Sequence, residues 1–214
     1  MKNYAPSINR LVILIAALVS SQPLTNAEIT ELGTGLCYGG GHAYFLTAPA
    51  GWVLDNESGR EQGVYATFYP KGSSWNGPAV AYSNAAGREG RAPTAAINHD
   101  IEEMRSKNPK IKVMDAGTLK TSDNRTALLK TFTGDSFGNS EMVAYIVEKN
   151  VVVNIVLTAR SDKDYKAALP SFRKLVMSYR FITDDPSKIN LEDKLKSERA
   201  KASTSVKNAK PKTR

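Results

Sequence analysis

MVAYIVEKNVVVNIVLTARSDKDYKAALPSFRKLVMSYRF, residues 142–181, is the stretch on which the fold turns. Two apolar runs, Met142–Glu148 and Val151–Ala159, flank the polar pair Lys149-Asn150. Such a pair between two β-prone runs predicts a tight hairpin, with Asn150 as the residue expected to tolerate positive φ. The second run is apolar on both faces apart from Asn154, which predicts a central strand covered on both sides. The following residues supply a cover. Ser161 with Asp164 three residues on is a capping box, and Tyr165, Ala168, Leu169, Phe172, Leu175, Val176 and Tyr179 recur at helical spacing. Pro170 lies inside this stripe and predicts a kink or restart near Lys166–Leu169.

Working outward, strands are expected at Ala43–Ala48, Gly63–Tyr69 and Ala79–Asn84. Pro49-Ala50-Gly51 makes a turn that places Trp52 in the core at the end of the sheet. A first helix starts with Thr94 as N-cap, carries Ile97, Ile101 and Met104 on one stripe, and stops at Asn108-Pro109. Strands at Ile111–Leu119 and Thr126–Phe132 lead into the hairpin. The order β-β-β-α-β-β-β-β-α gives an α+β fold, a sandwich with a mainly antiparallel sheet.

The run YFLTAPAGW at 44–52, a strand entering a Pro-x-x-Trp turn, resembles the opening of PsbP-like domains. The close is also similar: a long apolar hairpin, the SDKDY cap at 161–165, and a last helix ending in Ser178-Tyr179-Arg180-Phe181. The resemblance covers roughly Ala43 to Ile182 and lies in element order. It implies a three-layer α/β/α sandwich, shared by an extrinsic photosystem II subunit, a Ran-binding import factor and bacterial envelope proteins. It also implies a binding or assembly role with no shared catalytic residues.

The 214 residues carry 29 Lys+Arg and 21 Asp+Glu, a formal charge of +8. That charge is unevenly placed. Residues 1–27 read as a signal peptide: Lys2 and Arg10, the apolar run Leu11–Val19, then Thr25-Asn26-Ala27 as a small-residue cleavage site. The run is too short to span a bilayer as a permanent anchor. Leu36 before Cys37 does not fit a lipidation signal. These segments predict an exported, periplasmic or secreted protein: lead-in 28–42, domain 43–185, and a basic, largely disordered tail 186–214. The tail holds nine Lys or Arg against three acids, a net +6, while residues 28–185 balance at zero. Glu192 and Lys196 support a short charged helix, and beyond Ala200 the composition reads as disordered. The tail is either a solvated extension or an electrostatic contact made by Lys201, Lys207, Lys210, Lys212 and Arg214 with an anionic polymer or surface. Export disfavours nucleic acid as that partner.

Candidates for chemistry are few. Gly134-Asp135-Ser136-Phe137-Gly138 fits G-x-S-x-G, but an α/β-hydrolase elbow needs a helix directly after its serine and a histidine later in the chain. Here a strand follows at Met142, and His42 and His99 both precede Ser136. The same segment is ordinary hairpin chemistry. His99 is expected to face solvent on the first helix, and His42 to be partly exposed. No ligand cluster for a metal is visible, and no cofactor is expected. Gly39-Gly40-Gly41 reads as a flexible connection, and Cys37 as an unpaired thiol. Trp75, beside Lys71 in the 71–77 loop, is either an exposed contact residue or a lid folded back over the sheet. The reading is an exported, soluble, non-catalytic binding or assembly module for an unidentified protein or envelope component. The alternative is a serine hydrolase using Ser136.

Overall fold

A computed structural model of the chain describes residues 30–31, 33–64 and 66–208. The signal-peptide segment 1–27 lies outside the described residues, as do Lys210, Lys212 and Arg214. The elements in chain order are β1 (Thr30–Glu31), β2 (Thr34–Gly39), β3 (His42–Thr47), β4 (Trp52–Asp55), β5 (Ala66–Pro70), β6 (Ala79–Gly87) and α1 (Pro93–Lys107). They continue with β7 (Lys112–Lys120), β8 (Thr126–Thr133), β9 (Ser140–Val147), β10 (Val151–Ala159), α2 (Asp162–Met177), β11 (Arg180–Thr183) and α3 (Leu191–Asn208).

Eight strands form one sheet in the order β1-β4-β5-β6-β10-β9-β8-β7, and β11-β3-β2 form a second, smaller sheet. The pairings are antiparallel in both. The large sheet is the middle layer of an α+β sandwich. Strand β10 sits between β6 and β9, as its two apolar faces predict. Its odd residues Val153, Ile155 and Leu157 pack with Phe172, Leu175 and Val176 of α2 and with Tyr44 and Leu46 of β3. Its even residues Val152 and Val156 pack with Ile97, Ile101 and Met104 of α1. One face is therefore covered by α2 and the small sheet, the other by α1.

Helix α2 begins as the capping box requires: the Asp164 amide donates to Ser161 Oγ at 3.1 Å. It runs through Pro170 without a restart, with Ala168 before the proline and Phe172, Leu175 and Val176 after it buried on the same side. Burial of both halves against one surface outweighs the hydrogen bond the proline removes. Helix α1 starts two residues before the expected position. Its N-cap is Ala92 and Pro93 occupies the first turn, where a missing N–H leaves nothing unsatisfied. Asn150 keeps an ordinary φ; among the described residues the non-glycine ones with positive φ are Glu89 and Asn124.

The three glycines at 39–41 form a turn. Gly39 and His42 pair across a β2–β3 hairpin, and Gly41 adopts φ +82°. A Cβ on Gly41 would lie 3.1 Å from Cβ of Asn150, so this turn also seats against the β9–β10 hairpin. The C-terminal segment is helical to Asn208, further than its composition predicts. The Lys196–Glu192 ion pair forms at 2.9 Å, and Arg180 pairs with Glu198 to hold α3 to the domain.

Candidate functional site

Helix α1 does not seal the sheet face beneath it. It buries Ile97, Ile101 and Met104, whereas its remaining surface is polar or exposed. Two depressions flank it. On one side an open groove of about 290 Å³ is lined by Asn98, Glu102 and Arg105 of α1 and by Val113, Asp115 and Lys130 of the outer strands. Lys130 and Asp115, register partners on β8 and β7, pair along the groove's strand wall.

On the other side a cavity of about 60 Å³ lies between α1 and strands β6, β10 and β9. Alternation along the strands builds its floor. Asn84 of β6 and Asn154 of β10 are register partners and face the α1 side, in the row between the Tyr82–Val156 pair and the Ala86–Val152 pair. Tyr145 of β9 adds a phenol whose hydroxyl donates to Asp100 Oδ2 of α1 at 2.7 Å. Ala86, Ile97 and Val152 provide apolar wall, and Arg91, His99 and Glu103 stand at the rim. Asn154 is 1% exposed, and its Oδ1 is buried without a hydrogen-bond partner. A buried acceptor left unmatched costs about 1–3 kcal/mol, so this is the most unusual polar group on this face.

The loop before α1 is held rigidly. Arg88 donates to the Arg91 carbonyl at 2.7 Å and to the carbonyls of Glu148 and Lys149 at 3.1 and 3.0 Å. Those bonds clamp the cavity's edge to the β9–β10 hairpin. Glu103 turns to Lys107 at 2.8 Å, and Arg91 to Glu89 at 2.7 Å.

The sequence-predicted candidates lie elsewhere. Trp75 takes the covering position: it is 9% exposed and packs with Val53, Tyr69 and Val80, its ring edge-on to Tyr82 at 6.4 Å. The indole thus closes the β4–β6 end of the face that α1 leaves bare, and the adjoining hollow of about 10 Å³ has no room for a ligand. Lys71 is exposed in the same loop. Ser136 is exposed in the β8–β9 turn, where Asp135 Oδ1 accepts from the amides of Phe137 at 3.1 Å and Asn139 at 2.8 Å. That is the Asx-type hairpin its composition predicts. His42, beside the Asn150 hairpin, and His99, in the cavity with Gly87 and Val152, lie toward the opposite end of β9. Lys201 and Lys207 fall on α3.

Cys37 is half-buried and unpaired, and burial pushes its thiol up to about 12 against the opposing contact with Tyr44. Burial also pushes the His42 imidazole below its usual value. Among the described residues no cluster of three or more metal-ligating side chains occurs, and no helix is long and apolar enough to cross a membrane. Asn154 was visible in the sequence as the polar break in the middle of β10, with Thr158 near its end. Its pairing with Asn84 and its approach to Asp100 depend on register and helix placement, which no local pattern encodes.

No family model matches the chain, and no curated protein matches it. Solved structures do. The chain is similar to cyanobacterial PsbP (CyanoP) from Synechocystis, with 9% identity and a TM-score of 0.46 over 75% of this chain and 99% of that one. It is similar to the Ran-binding protein Mog1p of Saccharomyces cerevisiae, with 12% identity and a TM-score of 0.43 over 77% and 99%. A Pseudomonas aeruginosa protein of unknown function is similar at 13% identity and a TM-score of 0.38, over 72% and 99%.

Proposed function

We propose that the chain is an exported, non-catalytic binding or assembly module that meets an envelope protein or polymer, with its basic C-terminal segment as an auxiliary contact. The observation that carries this reading is the segregation of charge. Residues 28–185 have no net charge, while 186–214 carry +6. Part of that segment, Leu191–Asn208, is helix α3, which lies beside β2 and is tied to the domain by the Glu198–Arg180 pair. A charged segment in a fixed place gives a partner both attraction and orientation. Near an anionic surface each Lys or Arg contributes about 1 kcal/mol, so the contact belongs to low ionic strength and fades as salt rises.

The test is affinity capture from envelope extract with the full chain and with a variant in which Lys201, Lys207, Lys210, Lys212 and Arg214 are all replaced by Gln. At low salt the variant should recover markedly less of its partners, and the difference should close at high salt. Equal recovery at low salt removes the tail from the function. Failure of the full chain to retain any partner removes the binding-module reading itself.

A further inference from the structure

The α1 cavity has what a ligand site needs, independently of the tail. Its floor carries a carboxamide that is 1% exposed with an acceptor oxygen lacking any partner, and its wall carries the Asp100 carboxylate. The Tyr145 hydroxyl already donates to that carboxylate, which fixes its position rather than neutralising it. Both groups accept hydrogen bonds, so the complementary ligand is a donor, and a carboxylate favours a positively charged one. The volume, about 60 Å³, has room for a few waters and so for a small polar head group. Ala86, Ile97 and Val152 offer apolar wall to the stem behind it. The rim cation, Arg91, is turned toward Glu89, and Glu103 toward Lys107, while His99 is exposed at the mouth.

We propose that this cavity binds a primary ammonium group on an alkyl stem, the chemistry of a lysine side chain or of a free alkylamine, with Asn154 Oδ1 accepting one N–H and Asp100 supplying the charge. An anion would face Asp100 and an acceptor with no proton to offer.

The experiment is a titration of the full chain, isotope-labelled, with n-butylamine, with the peptide acetyl-Gly-Lys-Gly-amide, and with n-butanol as the uncharged control, read by amide chemical shifts. Butylamine should give saturable shifts confined to Asn84, Asn154 and the Asp100 turn of α1, and butanol should not. Asn154→Ala should weaken the amine by about tenfold or more. Asp100→Asn keeps an acceptor for Tyr145 but loses the charge, and should do the same if Asn154→Ala proves unfolded. A peptide that binds more tightly than butylamine identifies a partner's lysine as the natural occupant; equal or weaker binding identifies a free amine. Shifts that never saturate, equal shifts from butanol, or unchanged affinity in a folded Asn154→Ala protein would overturn the proposal and leave a water-filled polar hollow.

Discussion

Replacing Glu148 should expose how the last helix and strand are locked to the sheet. Glu148 is 7% exposed at the end of β9. Its Oε1 accepts from the Tyr179 hydroxyl at 2.9 Å and from Arg125 Nε at 2.5 Å. Arg125 also holds Asp123 at 2.7 Å, and Asp123 accepts the Phe181 amide of β11 at 2.8 Å. The Arg125 guanidinium lies 4.6 Å from the centre of the Phe181 ring. One polar chain thus joins the β7–β8 turn, the β9–β10 hairpin, the end of α2 and the small sheet.

Glu148→Ala strips the acceptor from a tyrosine that is 0% exposed, which costs about 1–3 kcal/mol. The loss at Arg125 is smaller, about 1 kcal/mol or less, because its side chain is 32% exposed and keeps Asp123. The sum is about 1–4 kcal/mol, with melting lowered by about 2–4 °C per kcal/mol for a domain of this size. Glu148→Gln keeps an acceptor for Tyr179 and should lose only about 1 kcal/mol. Urea unfolding measures both, with an unchanged m-value confirming that stability alone has moved. If Tyr179→Phe is made first, Glu148→Ala should become cheaper, since the stranded hydroxyl is gone. The reasoning fails if Ala and Gln cost the same, or if the Tyr179→Phe background leaves the cost of Glu148→Ala unchanged.

Two further outcomes follow from the core. Burial raises the Cys37 thiol to about 12 from 9.0, and it raises Tyr44, Tyr69 and Tyr179 above the ordinary phenol value, with Asp55 adding to the shift at Tyr69 and Glu148 at Tyr179. These groups stay protonated in the folded chain while the unfolded chain releases its protons. Their contribution is therefore full below about pH 9 and is lost as pH rises beyond it, by up to about 1.4 kcal/mol per group per pH unit. Chemical denaturation from pH 8 to 11 should show this decline, and Cys37→Ala should delay its onset; a flat profile would refute it. Trp75→Ala should cost about 3–5 kcal/mol and leave Trp52 as the only indole, with an emission maximum that stays blue-shifted because Trp52 is 5% exposed. A loss under about 1 kcal/mol would mean that Trp75 does not close the face.

What could be read locally was the part held by long-period patterns. The β9–β10 hairpin, the Ser161 cap and the α2 stripe stand in the sequence as they stand in the structure. The short strands were harder. β4 has four residues, and β2, TGLCYG, has no alternation; each becomes a strand because a neighbour offers its backbone groups. Trp75 illustrates the same limit: a loop rich in Gly and Ser leaves open whether its indole stands exposed or, as here, roofs the sheet. The α3 helix beyond Ala200 runs against a composition that favours disorder, and its tie to Arg180 is a long-range contact.

The two faces of the sheet make different demands, and that difference locates the site. On the α2 face the alternating residues of β10 from Val151 to Ala159 are apolar, and the helix above them buries Phe172, Leu175 and Val176. On the α1 face the alternation gives Val152, Asn154 and Val156. A valine at 154 would complete that row, suit the strand's β-branched pattern and leave no acceptor unmatched. The carboxamide is thus a cost to folding of about 1–3 kcal/mol that packing does not return. Helix α1 compounds it by bringing Asp100, which accepts from Tyr145 of β9, toward the same hollow instead of an apolar side chain that would fill it. Polar groups that weaken a core yet converge on one small volume are explained by what enters that volume. That is why the ammonium titration addresses Asn154 first and the rim charges afterwards.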